Sequence, residues 1–82
     1  MTTFLIDLAG WSGALSLLLA YILVSWRVVA GDSFAYQGLN LLGGALLAVN
    51  SYAHGAFPSV VVNGFWIVVG VAALWRIWRL RD

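Results

Sequence analysis

The chain has 82 residues, 63% of them hydrophobic and only 9% charged, with four Arg, three Asp, no Lys and no Glu. Soluble domains carry roughly 45–50% apolar and a quarter charged residues, so this composition cannot give a small soluble domain its polar skin. A net charge of +1 and the lack of Cys exclude a basic nucleic-acid footprint, a disulfide framework and a thiolate metal site. What remains is an integral membrane protein.

The first predicted span is about Leu8–Val29. Leu8 to Trp26 is a 19-residue stretch without a charge, enough for a helix to cross the roughly 30 Å hydrocarbon core. The leading residues Met1 to Asp7 carry no positive charge and the apolar stretch is too long for a signal core, so this segment is expected to stay as a span. Ala30-Gly31-Asp32-Ser33 then makes a short connection. Gly31 suits the left-handed residue that ends a helix, and Asp32 or Ser33 suits the next cap.

Ser33 to Trp75 is free of charge for 43 residues, about twice the length of one span. The break falls at Ala53-His54-Gly55-Ala56-Phe57-Pro58, since Gly permits unusual dihedrals and Pro suits the first turn of a helix. The second and third spans are therefore about Ser33–Tyr52 and Pro58–Trp78. All four Arg follow the first or third span: Arg27, then Arg76, Arg79 and Arg81. Three spans put these ends on one side, which the positive-inside rule makes cytoplasmic, with the N-terminus outside. The aromatics agree: Trp11, Tyr52 and Phe57 mark the outer interface, and Trp26, Tyr36, Trp75 and Trp78 the inner one.

Each span carries one face of small or polar residues: Ser12, Ser16 and Ala20; Asn40, Gly44 and Ala48 with Gly43 beside them; Asn63, Trp66, Gly70 and Ala73. Such stripes allow helices to approach closely, and packing is their simplest role. Asn63 stands out. It lies five residues after Pro58, its amide has two donors and an acceptor, and Trp66 follows one turn deeper. An amide beside an indole face can bind a small polar ligand; a hydrogen-bonded packing Asn with a lipid-facing Trp is the plainer alternative. Asn50 and Ser51, near the outer end of the second span, face the same cavity or the interface. His54 is a loop residue without an evident duty, and Tyr21 is a mid-span hydroxyl expected to bond across helices.

An enzyme is not expected. The chain has one His and no Glu or Cys, and its carboxylates Asp7, Asp32 and Asp82 sit at or beyond the ends of the predicted spans. No metal cluster, nucleophile–base pair or phosphate loop can be assembled, and no cofactor is implied. Arg76-Ile77-Trp78-Arg79-Leu80-Arg81 reads as a stop-transfer and headgroup anchor.

The segment Tyr52-Ala-His-Gly-Ala-Phe-Pro58-Ser-Val-Val-Val-Asn63 resembles the Tyr-Gly … Leu-Pro-x-x-x-Ala-Asn segment of the bacterial SemiSWEET sugar transporters of the PQ-loop (MtN3/saliva) superfamily. The three spans, outside N-terminus and Pro-containing outer connection are similar too, and Trp26-Arg27 stands where that family has a bulky residue followed by a basic one. By this resemblance Asn63 takes the place of a pocket Asn and Pro58 opens the third helix. The family's Pro-Gln motif is absent, Ala20 and Tyr21 standing nearest its place. Its second-helix Trp is also missing, near Val49 or Asn50, and the outer loop is shorter. In these respects the chain is similar to small three-helix bacterial membrane proteins distantly related to that superfamily.

The expected architecture is an all-α integral membrane bundle of three transmembrane helices, SemiSWEET-like and paired as a parallel homodimer, in a bacterial inner membrane. Three helices are too few to enclose a ligand, whereas a symmetric dimer would set the two Asn63 side chains across its axis. The expected function is a half-transporter moving a small neutral polar solute, such as a sugar, past Asn63, Trp66 and Asn50. The alternative is a scaffold or accessory subunit of a larger membrane complex. The lipid bilayer and a second copy are the expected partners, with no nucleic acid and no metal.

Overall fold

The computed structural model describes residues 2–81; Asp82 lies outside them. Three helices make up most of this stretch: α1 Thr3–Ser25, α2 Phe34–Ala53 and α3 Phe57–Leu80. α1 starts at Thr3 rather than Leu8 because Thr2 caps it, its hydroxyl accepting from the Leu5 amide at 3.3 Å. Asp7 therefore lies inside the second turn of α1, not beyond its end.

The far end of α1 differs from expectation as well. The left-handed residue is Arg27, at φ 61°, and not Gly31. The Arg27 amide donates to the Val24 carbonyl at 3.2 Å and the Val28 amide to Leu23 at 2.9 Å, the paired bonds of a Schellman ending. The β-branched pair Val28-Val29 favours leaving the helix here, and an apolar residue after the left-handed one usually accompanies this motif. The connection thus runs from Trp26 to Ser33, longer than the four residues expected.

α2 starts where its cap predicts, with the Ser33 hydroxyl accepting from the Tyr36 amide at 3.1 Å. It ends in a second Schellman motif: Gly55 takes φ 69°, its amide donates to Tyr52 at 3.1 Å, and the Ala56 amide donates to Ser51 at 2.9 Å. Pro58 falls in the first turn of α3, where its missing N–H would have no partner in any case.

α2 packs against both α1 and α3, which make no close approach to each other. The result is an open three-helix layer of 43 × 23 × 19 Å and not a closed bundle. The reason lies in α2. Gly43 and Gly44 are about 100° apart around the helix, so they receive neighbours on two different sides. A Cβ on Gly43 would stand 2.9 Å from the Gly13 carbonyl oxygen of α1, whereas one on Gly44 would face Asn63 and Ile67 of α3. Below the Gly13–Gly43 contact, the Ser16 hydroxyl donates to the Leu39 carbonyl at 2.8 Å, and Ala20 is completely buried. Gly70 of α3 sits on Leu41.

Small residues fill the interior while large ones face out. Ala20 is the buried hydrophobic residue among those described, whereas Leu15, Val61 and Val68 are 62%, 72% and 68% exposed. α1 and α3 are both long and apolar enough to cross a membrane. α2, richer in Gly, Asn and Gln, has most of its length half-covered by the other two helices.

Candidate functional site

Two grooves flank Leu47 of α2, near the end of the layer where α2 finishes and α3 begins. Between α2 and α3 lies a groove of about 400 Å³ lined by Leu47, Ser51, Pro58, Ser59, Val62 and Asn63. Between α2 and α1 lies one of about 260 Å³ lined by Asp7, Gly10, Trp11, Ala14, Leu47 and Asn50. Leu47 belongs to both, so they open on the same face of the layer. Asn40, seven residues before Leu47, lies on the same side of α2 by helical spacing.

The two asparagines are held differently. The Asn50 side-chain amide donates to the Ile6 carbonyl of α1 at 2.9 Å. Gly10 leaves room for it, since a Cβ there would come 2.8 Å from the Asn50 Cγ. Asn50 is thus an interhelical clamp with its carbonyl oxygen left over. Asn63 has a looser hold: its amide donates to the Ser51 hydroxyl at 3.5 Å, the outer limit of a hydrogen bond. Ser51 is buried at 8% exposure, while Asn63 is half-buried at the groove. Among the described residues the second N–H and the oxygen of the Asn63 amide make no further hydrogen bond.

The three expected site residues do not share one pocket. Asn63 and Asn50 line adjacent grooves separated by Leu47. Trp66 lines neither; it is 51% exposed, with its ring edge-on to Phe65 at 6.0 Å. One turn from Asn63 along α3 places Trp66 close to Gly44, lower on the layer. Two polar groove residues, Ser59 and Asp7, were not among those expected from the sequence. Ser59 is four residues before Asn63 and so on its face, a spacing that was available. Asp7 joins the Asn50 groove because α1 begins earlier than its charge-free stretch.

His54 caps α2, with its ring Nδ1 2.8 Å from the Asn50 carbonyl oxygen. It thereby braces the turn carrying Asn50, although it does not line either groove. Among the described residues no cluster of His, Cys, Asp or Glu is arranged to hold a metal ion.

A protein-family model without an assigned function matches residues 6–82. No curated protein and no solved structure matches the chain. The chain belongs to that family, and the match covers α2, α3 and all but the first three residues of α1.

Proposed function

We propose that this member of the family is a membrane-embedded half-transporter, whose grooved face pairs with a second copy to enclose a path for a small neutral polar solute. The observation that carries the reading is the under-used amide of Asn63, set in an open groove beside Ser51 and Ser59. A polar group inside an apolar layer needs partners, and Asn63 has one long bond. The Asn63 groove has no charged residue in its lining, which suits a neutral solute, whereas the lining of the Asn50 groove includes the Asp7 carboxylate. The Tyr52–Asn63 resemblance to SemiSWEET transporters supports the same cargo class.

The outward-facing Leu and Val of α1 and α3 support insertion in a membrane, since a large exposed apolar surface needs a non-aqueous environment, and all three helices cross in this reading. α2 tolerates its Gly, Asn and Gln in a bilayer because the outer helices cover it on two sides. The connection before α2 and the end of α3 lie at one end of the layer, where Gly31 and Arg76 line a common groove. That end is cytoplasmic by the positive-inside rule, in a bacterial inner membrane, with the N-terminus outside. The two copies are parallel.

One observation favours the scaffold reading. α1 is an unbroken helix from Thr3 to Ser25 and contains no proline to hinge it for alternating access. A flux assay separates the two. Liposomes carrying the purified protein and loaded with glycerol, xylitol or glucose are diluted into isotonic buffer, and light scattering reports solute exit. The transporter predicts exit of at least one solute, reduced about tenfold or more by Asn63→Leu. Vesicles as tight as protein-free controls towards all three would leave the scaffold.

A further inference from the structure

The opposite end of the layer holds a groove of about 540 Å³, within the size range of small-ligand sites. Gly31 and Asp32 of the first connection and Gln37 of α2 form one wall; Arg76, Ile77 and Arg81 of the α3 end form the other. Among the described residues the lining holds two arginines and one aspartate, an excess of positive charge. Arg81 is held in place, its guanidinium carbon 5.8 Å from the ring centroid of Phe34, the first residue of α2. The positive end of the α2 dipole therefore lies beside it. The wall carrying Gly31 is also fixed, as the Gln37 side-chain amide donates to the Gly31 carbonyl at 2.9 Å and the Ser33 hydroxyl donates to Ala30 at 2.6 Å.

We propose that this groove binds the phosphate of an anionic glycerophospholipid headgroup, with Arg76 and Arg81 as its principal ligands. Guanidinium is the side chain best matched to a phosphate, since its planar fork gives two parallel N–H donors. The apolar remainder of the lining, Ile77 and Leu80, suits the start of the acyl chains and distinguishes a lipid from free phosphate. The proposal rests on the membrane reading above and concerns the end of the layer away from Asn63.

The test compares single variants in one charge step. Arg76→Gln and Arg81→Gln each remove a groove ligand. Arg79→Gln removes the same charge from a residue that sits over the Trp75 ring at 5.9 Å and is not in the lining of this groove, although the neighbouring groove it lines shares Arg76 and Leu80. Each protein is purified in a maltoside detergent and titrated with phosphatidylglycerol, phosphatidylcholine or inorganic phosphate, with bound molecules counted by native mass spectrometry. Phosphatidylglycerol is expected to bind the parent, and each groove variant to bind it about five- to tenfold more weakly, with Arg79→Gln nearly unchanged. Equal losses in all three variants would reduce the effect to general charge attraction and overturn the site. Inorganic phosphate that competes at the lipid's own concentration would overturn the lipid assignment. Circular dichroism of each variant shows whether the helices are intact, and Arg81→Lys, which retains the charge, supplies a second probe if Arg81→Gln misfolds. Flotation with liposomes checks the premise separately: a chain that fails to float removes the membrane reading, whereas one that floats without lipid preference removes only this site.

Discussion

Gly43 and Gly44 are neighbours in the chain whose added methyl groups would meet different surroundings. On Gly43 the new Cβ would stand 2.9 Å from a backbone oxygen and 2.8 Å from Leu17, while on Gly44 the nearest atoms are 3.6 Å away. Gly43→Ala is therefore expected to cost about 1–3 kcal/mol, the range for overpacking. Gly44→Ala is expected to be neutral or slightly stabilising, since the helix gains propensity without a clash. Unfolding of the two variants in mixed micelles checks the difference, and equal destabilisation would contradict the assignment of each glycine to its own interface. Arg27 offers an opposite case. A left-handed non-glycine residue costs about 1–2 kcal/mol, so Arg27→Gly should raise stability by up to about 1 kcal/mol once the flexibility of glycine is counted. A loss of stability would mean that the Arg27 side chain makes a contact outweighing the strain. The sequence pointed to a glycine here, because residue preference is a weak guide where two β-branched residues end the helix first.

At the scale of the helices, the sequence was informative about number and order. Long charge-free stretches, the Gly55…Pro58 break and the Ser33 cap each correspond to a feature of the structure. Its limits are equally physical. Charge-free length placed the start of α1 too late, since a helix starts at its cap and tolerates Asp7 on an exposed face, and the end was set at Val29 by assigning the helix stop to Gly31. The Asn63, Trp66, Gly70, Ala73 spacing described one face of α3, yet helical spacing alone does not say how far up that face α2 reaches, and Trp66 falls outside the groove. α2 is also the least apolar of the three helices, and whether it crosses the bilayer is open to a direct check. With no native Cys, Val28→Cys and Ala56→Cys place thiols at its two ends. Three spans predict that an impermeant thiol reagent labels Val28→Cys and Ala56→Cys from opposite faces of sealed vesicles. Labelling of both from the same face would mean that α2 does not cross.

For the whole molecule, the open layer is what the proposed pairing rests on. α2 is covered on two sides, while the face bearing Leu47 leaves both grooves open, with polar atoms of Asn50, Ser51, Ser59 and Asn63 near one end. A second copy laid on that face would join the grooves into one cavity. The packing stripes were legible from residue size, but the open arrangement was not, because it depends on the angle between two stripes on a single helix. A transport path requires that water and solute reach Asn63 in the membrane, and Asn63→Cys is the variant that reports on this. Labelling by a small impermeant thiol reagent is expected in sealed vesicles, with protection by the solute that the flux assay identifies. An Asn63→Cys protein that stays folded and paired yet unlabelled from either face would make residue 63 a dry packing position and contradict the claim.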